Sequence, residues 1–571
     1  MSGMAFADQP KILGLTLAES WRRLRGGVVS AGRERLRLSG ASPERLVIAP
    51  PDLATADPTV AQEIYSGIFF FAGQYVDTAG QSPFAVEAPT QQWARELHAF
   101  GWLCHLEAAG GPLSANNAQA LVRDWLALHA KPSKTLAWRA DIAAERLIAW
   151  LSHSVLIVEN ADLGFYRAFL KSIGQHIRYL QRAAPEAPAG MPRLVARTAL
   201  AYASVCVSGQ TSTPNSALKR LDVELSHQIL PDGGHVSRNA THLPQILAWL
   251  LPLRQSFVAL GSVPSAEFIS AIDRMLMAIR FYRLGDGGFA RFNGVSVTPN
   301  DLVATVLRYD DIRAELPSEA AYSGYQRMSI GETTVIMDTG MPPPGAVSRS
   351  AHAGCLSFEM SSGKSPMIVN CGAPFHPTGE TLSAARSTAA HSTATINDTS
   401  SCRFKVDGVI GRYLDNRIIG GPQVVQCRRE DSDEVRSVIA SHDGYARNFG
   451  IVHERSLWLY DEGTRVSGRE RFLGPNGKPP RNGERDRIAL RFHLHPSVSV
   501  TTDTDGQLLL WCGTGDCWKF ISPQIEPQVE ESIFLASAGG LKNTLQIVLL
   551  AKASEHPQIE WVLERQSFRG R

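Results

Sequence analysis

Two glycine turns carry the side chains best suited to chemistry. The first is Pro231-Asp-Gly-Gly-His-Val-Ser-Arg-Asn239, which sets His235, Ser237, Arg238 and Asn239 after an Asp-Gly-Gly turn signal, with His242 three residues on. An arginine can grip a carboxylate or sulfate through two parallel hydrogen bonds. A histidine can take or give a proton near neutral pH. The same side chains can also do no more than cap the helices around the loop. The second turn, Gly285-Asp-Gly-Gly-Phe-Ala-Arg-Phe-Asn-Gly294, is similar and offers Asp286, Arg291 and Asn293. Tyr282, in Ile279-Arg-Phe-Tyr-Arg283, is a spare phenol at a helix end, where a core tyrosine is the competing reading. Further along lie His352, Asn370, His391, His442, Tyr445 and His453. His493 and His495 alternate with Leu494 and so share one strand face. There they can chelate a metal, line a cleft, or find polar partners inside a sheet.

Helices must position the first group. From about residue 60 to 285 apolar residues recur at helical spacing, as in Leu218, Leu221, Leu225 and Ile229. Thr213-Pro214 is a helix start, a capping residue followed by proline at the first helical position. Similar runs near 90–108, 114–130, 139–156, 162–183, 192–208, 214–230, 242–260 and 265–283 predict about eight helices. Short connections make neighbours antiparallel, and repeated pairs would curve into a toroid or an α-solenoid; periodicity leaves both open. After about residue 300 the period changes. Thr333–Met337, Cys355–Met360, Met367–Cys371, Ile488–Leu494, Gln507–Trp511 and Leu545–Leu550 read as strands bounded by turns such as Ser361-Ser-Gly-Lys364 and Asp503-Thr-Asp-Gly506. That pattern predicts a large antiparallel sandwich.

Composition narrows the partners. The 571 residues are 44% hydrophobic and 20% charged, with a net charge of +2. That length suits about two to four domains. The charge gives no overall field for nucleic acid or a polyanion, so an acidic ligand needs a local cluster. The eight cysteines form no C-x-x-C pair and read as reduced, buried thiols; Cys512 and Cys517 could pair if the protein is exported. No run of about 18 apolar residues marks a transmembrane helix. The first residues lack the basic-then-apolar pattern of a secretory signal, which predicts a cytoplasmic location. Arg22, Arg23, Arg25, Arg33, Arg35 and Arg37 make residues 1–50 a basic N-terminal extension, suited to anionic lipid or sugar, or simply a solvated helix face.

Several blocks resemble the heparinase II/III family of polysaccharide lyases. They are Ala351-His-Ala-Gly-Cys-Leu-Ser-Phe-Glu359, Pro366-Met-Ile-Val-Asn-Cys-Gly372 and Arg386-Ser-Thr-Ala-Ala-His-Ser-Thr393, supported by the two glycine turns, Ser441-His-Asp-Gly-Tyr445, His453-Glu-Arg455 and Arg491-Phe-His-Leu-His-Pro496. The resemblance covers roughly residues 85–565. It implies a multidomain α + β chain: an N-terminal α/α toroid over residues 51–300, an incomplete barrel of helix pairs, followed by a C-terminal antiparallel β-sandwich over 301–571. It also implies cleavage of an acidic, uronate-containing (heparin- or heparan-like) polysaccharide by β-elimination, and a cell-envelope or periplasmic location as the alternative to the cytoplasm.

Elimination needs the uronate carboxylate neutralised, a base for the C5 proton and an acid for the leaving oxygen. By resemblance, His242 stands where the family has a catalytic tyrosine, with His235, Arg238 and Asn239 completing the catalytic group. Arg291, Asn293 and Tyr445 are the expected substrate-binding residues. The family's zinc ligands map to His352, Asn370 and His391, so structural zinc is the one implied cofactor. Besides His242 for tyrosine, this chain departs from the pattern in three places: Ser350 stands at a catalytic histidine, Asn370 at a zinc-binding aspartate and Gly354 at a frequent acidic residue. No counterpart of the family's upstream Asn-His pair is found in the helical half. Those losses support a second reading, a non-catalytic saccharide-binding or envelope-associated protein that keeps the fold. A third, glycoside hydrolysis, needs two carboxylates about 5–10 Å apart; Asp222, Glu224 and Asp232 are present, but nothing pairs them.

Overall fold

The computed structural model describes residues 9–33, 43–209, 213–311, 314–404, 411, 413, 414, 416–474, 476–478, 480 and 485–566. The helical half contains Gly111–His129, Leu163–Ala183, Met191–Cys206, Pro214–Gln228, His242–Ala259 and Ala266–Tyr282 where periodicity predicts helices. The stripe on Pro214–Gln228 faces inward as expected: Leu218, Leu221 and Leu225 are buried. Thr213 accepts from the Ser216 amide, and Ser265 and Asp162 cap their helices in the same way.

Two predicted helices are each broken in two. The run near 90–108 splits into Gln91–Ala99 and Leu103–Ala109, because Phe100 turns left-handed at φ 63°. The Trp102 indole donates to the Leu97 carbonyl that the break leaves open, at 3.0 Å. The run near 139–156 splits at His153 into Ala140–Ser152 and Ser154–Val158. The His153 ring is clamped there between Asp52 (3.0 Å) and Glu107 (2.8 Å). Apolar spacing continues through both breaks, which is why it did not reveal them.

Among the described residues, besides a small sheet that pairs Arg403–Phe404 with Ile418–Gly420, the C-terminal half is built on two large antiparallel sheets. One runs, edge to edge, Val425–Asp431, Arg436–His442, Val452–Tyr460, Arg465–Leu473, Gln558–Gln566, Cys517–Ile521, Leu508–Trp511 and Ser499–Thr502. The other runs Gln528–Phe534, Lys542–Lys552, Arg487–Leu494, Ser365–Val369, Phe358–Ser362, Thr333–Asp338, Tyr325–Ile330 and Glu319–Ala320, with Ala394–Ile396 also paired to Arg487–Leu494. Every residue of Thr333–Asp338 is buried. Val335 and Met337 point into the core between the sheets, alongside Leu457, Val466 and Trp561. Ile336, on the opposite face, joins the core of the helical half. A strand covered on both faces has no polar alternation to show, hence the three consecutive apolar residues Val335, Ile336 and Met337 at its centre.

The halves are locked by backbone contact as well. The predicted Ser361–Lys364 hairpin abuts the second glycine turn: a Cβ on Gly285 would lie 1.7 Å from the Gly363 carbonyl oxygen. Gly285 donates its amide to Ser361 Oγ at 3.0 Å.

All eight cysteines are free thiols, seven of them buried, so Cys512 and Cys517 are not paired. No described helix is long and apolar enough to cross a membrane. Of the N-terminal arginines, Arg23 pairs with Glu19 at 2.7 Å. Arg35 and Arg37 lie outside the described residues, as do the side chains of Arg22, Arg25 and Arg33.

Candidate active site

The first glycine turn is built by close approach. Gly233 has φ 82°, and a Cβ there would sit 1.9 Å from the Arg274 carbonyl oxygen. Asp232 closes the turn by accepting the Gly234 amide at 3.0 Å, and its other oxygen takes the Ser323 amide and hydroxyl at 2.6 and 2.9 Å. Asp222 accepts Ser265 Oγ at 2.8 Å and Glu224 accepts Gln228 Nε2 at 2.6 Å. The three carboxylates considered for glycoside hydrolysis thus hold turns and neighbouring side chains.

Beyond the turn, three predicted residues meet. Ser237 Oγ lies 2.7 Å from His235 Nδ1 and 3.0 Å from His242 Nδ1, and the two Nδ1 atoms are 3.3 Å apart. The rings stand edge to face, with centroids 4.9 Å apart. His235 is buried and its Nε2 faces Gln228 Oε1 at 3.0 Å. His242, first residue of its helix, is half-buried. Burial, and then the neighbouring His242, push His235 well below the usual imidazole range; burial pushes His242 down to about 4. Both rings are therefore neutral at pH 7.

Arg238 is placed differently from a substrate clamp. Its Nη2 bonds Asp338 Oδ1 at 2.6 Å and the Gly324 carbonyl at 2.9 Å. Nε donates to the Ser323 carbonyl at 2.6 Å, and Nη1 to those of Met341 and Gly340 at 3.1 and 3.4 Å. The guanidinium also lies 4.5 Å from the centroid of the Tyr325 ring. Each of its nitrogens is engaged within the protein. Burial disfavours its charge, but the Asp338 carboxylate outweighs that and holds it protonated. Asn239 Oδ1 accepts the Thr241 amide and hydroxyl at 3.0 and 2.6 Å.

The second turn connects the first to the β half. Asn293 Nδ2 donates to Tyr325 Oη at 2.8 Å, and its Oδ1 accepts the His352 amide at 3.2 Å. A Cβ on Gly294 would lie 2.8 Å from the Ser350 Cβ and 3.2 Å from Asn239 Nδ2, so Ser350 packs where the two turns converge. Arg291 bonds Glu359 Oε2 through Nη1 at 3.1 Å, and its guanidinium lies 5.0 Å from the centroid of the Phe534 ring; among the described residues its Nε and Nη2 have no hydrogen-bond partner. Tyr282 is buried, with its hydroxyl 2.8 Å from Ser323 Oγ.

Tyr445 is not brought to this group. It is fully buried in the core between the sheets, its hydroxyl donating to the Ala394 carbonyl at 2.8 Å. His453 bonds Glu470 at 2.7 Å in the same interior. His493 lies 2.8 Å from Ser532 Oγ and 2.9 Å from the Ala389 carbonyl, so it finds polar partners within the sandwich.

The implied zinc ligands lie close together, but their donors do not fit the ion. His352 Nδ1 is 3.1 Å from His391 Nε2, and His391 Nδ1 bonds the Ser387 carbonyl at 2.7 Å. Asn370 Oδ1 accepts the Ser392 amide at 2.9 Å while Nδ2 donates to the Arg291 carbonyl at 3.3 Å. His352 Nε2 is buried without a partner. Zinc favours three or four anionic or imidazole donors. Here two imidazoles face each other and the amide is engaged elsewhere. Among the described residues, no three His, Cys, Asp or Glu gather in a metal-binding group.

Sequence reasoning missed Gln228, Ser323, Tyr325, Asp338 and Glu359, which hold these side chains. Nothing in their spacing marks them, because they join the site only through tertiary contact.

The fold is that of a known class of proteins. Residues 313–562 match the model of the heparinase II/III-like C-terminal family. The crystal structure of heparinase III superposes with a TM-score of 0.68 at 12% identity, covering 100% of this chain and 93% of that one. A mutant of the heparan sulfate lyase HepC from Pedobacter heparinus gives 0.63 at 14% identity, covering 100% and 92%. The chain belongs to the heparinase II/III-like family. FtsZ-localized protein C of Caulobacter vibrioides is 30% identical over 586 residues, which is 97% of this chain and 98% of that protein.

Proposed function

We propose that the protein is a lyase of acidic polysaccharides, working by β-elimination where its two halves meet, with His242 moving the proton. The observation that carries this reading is the state of His242: half-buried beside the first glycine turn and kept neutral by burial. A neutral imidazole can accept the C5 proton of a uronate; an imidazolium cannot. A bound carboxylate beside it would raise its basicity. Arg291, unlike Arg238, keeps two guanidinium nitrogens without a hydrogen-bond partner among the described residues. The substrate class, uronate-containing and heparin- or heparan-like, follows from the likeness to heparinase III and the heparan sulfate lyase, and such polymers are met at or outside the cell envelope.

A second reading has its own observation. The relative that spans nearly the whole chain is named for localisation with FtsZ, not for cleavage of a sugar. On that reading this chain is a non-catalytic, envelope-associated protein found where FtsZ is. Ser350 and the internally bonded Arg238 are then marks of lost catalysis.

One experiment separates the two. The protein and a His242→Ala variant are incubated with a panel of uronate polysaccharides while the ultraviolet absorbance of the unsaturated product is followed. A rise that the variant loses supports the lyase. No rise on any polymer, with saccharide binding retained, supports the second reading.

A further inference from the structure

We infer that Gln228, His235 and Ser237 form a hydrogen-bond relay that fixes His242 in its Nδ1–H form and leaves its Nε2 lone pair open. The relay deepens the elimination reading above, since it would make Nε2 the atom that takes the proton. Its existence does not depend on that reading.

Proton positions follow step by step from groups that can only donate or only accept. The Gln228 amide nitrogen faces two acceptors, the Gly190 carbonyl at 3.1 Å and Glu224 Oε1 at 2.6 Å. The other end of the amide, Oε1, is therefore the atom 3.0 Å from His235 Nε2. An amide oxygen only accepts, so His235 Nε2 carries the hydrogen. A neutral ring then leaves His235 Nδ1 bare. The Ser237 backbone amide donates to that same Nδ1 at 3.1 Å, which agrees.

The next step is forced by distance. Ser237 Oγ sits 2.7 Å from the bare His235 Nδ1, so its hydroxyl hydrogen must lie between them. Having donated there, Oγ can only accept from His242 Nδ1 at 3.0 Å. The 3.3 Å approach of the two Nδ1 atoms gives the same answer independently. One of them must carry a hydrogen, and His235 Nδ1 does not. Two bare nitrogens at that separation would repel. His242 is thus Nδ1–H, and among the described residues no group bonds its Nε2, which is not enclosed.

A free imidazole favours the opposite tautomer, so the protein must enforce this one. A histidine acting as a base is commonly oriented through the hydrogen bond its other nitrogen makes. Here a serine hydroxyl backed by a second histidine takes the place of a carboxylate. Gln228, His235 and Ser237 are positioning residues; none needs to touch a substrate.

The test reads the tautomer directly. Protein labelled with nitrogen-15 in its histidines is studied by long-range proton–nitrogen correlation, with the His242 signals assigned by their loss in His242→Gln. The expected result is a neutral His242 in the Nδ1–H form near pH 7. Ser237→Ala should shift it mainly to Nε2–H, and Ser237→Thr, which restores a hydroxyl, should bring Nδ1–H back. Circular dichroism identifies variants that remain folded, and Gln228→Met serves as a second break if Ser237→Ala does not. An Nε2–H His242 in the wild type, or Nδ1–H persisting in both folded breaks, would overturn the relay. If the lyase reading holds, Ser237→Ala also lowers kcat by about 10²–10⁴-fold with little change in KM. If no polymer is cleaved, the tautomer result still decides the relay by itself.

Discussion

The Arg238 guanidinium on the helical half and the Asp338 carboxylate on the β half meet at 2.6 Å, both buried. Asp338 also accepts from the Asn293 amide at 3.3 Å and from the Gly340 backbone at 3.0 Å. One carboxylate therefore ties together both glycine turns and a central strand of the sandwich.

Removing that carboxylate leaves Arg238 charged and buried without its counter-ion. Asp338→Ala is expected to destabilise the protein by about 3–5 kcal/mol. Chemical denaturation measures it. A loss under about 1 kcal/mol would mean the pair contributes little beyond its hydrogen bonds to carbonyls.

His153 gives the helical half a pH dependence. Burial lowers its basicity, but the hydrogen bonds that its ring donates to Asp52 and Glu107 outweigh burial and raise it to about 9, from 6.5. The folded chain thus holds a proton more tightly than the unfolded one. The resulting stability is fully present below about pH 6.5 and is lost as pH rises through about 9. Melting temperatures of wild type and His153→Gln should differ most near pH 6 and converge above pH 9. A gap that widens with rising pH would contradict the assignment.

Two left-handed glycines make a matched comparison. At Gly261, φ is 68° and nothing lies within 4 Å of the point where a Cβ would stand. Gly261→Ala should therefore cost only the left-handed strain, about 1–2 kcal/mol. Gly233→Ala adds the 1.9 Å collision with the Arg274 carbonyl and should cost clearly more, while displacing His235 and Ser237. Equal losses in urea denaturation would show that the turn relaxes freely.

At Asn370 the amide nitrogen faces the Arg291 carbonyl. Asn370→Asp places a carboxylate oxygen there, so in chelator the variant should be less stable by about 1–3 kcal/mol. We expect the melting temperature of the wild type to be the same with chelator and with zinc. A wild type that melts lower once chelated would show that His352 and His391 hold a metal after all.

Most of the architecture was readable from the sequence. Apolar spacing placed the helices, and Thr213-Pro214 marked a start that the structure keeps. Apolar and β-branched runs bounded by turns placed strands such as Ile488–Leu494, which the structure forms as Arg487–Leu494. The breaks at Phe100 and His153 were not readable, because one rests on a single left-handed residue and the other on carboxylates 46 and 101 positions away. Of the site, the sequence supplied the loop that carries His235, Ser237 and His242, since glycine turns and the residue types around them are local features.

What those residues do was decided by tertiary contact. Arg238 and Arg291 occupy similar loops, yet one has each nitrogen engaged and the other does not, because Asp338 and the carbonyls of residues 323, 324, 340 and 341 surround only the first. Tyr445 sits in a block that resembles the family's but is sealed between the sheets. The sequence alone determined which groups are present and which local turns and helices carry them. Burial, partner and proton position depend on what the rest of the chain packs against each group, and only the folded molecule sets that.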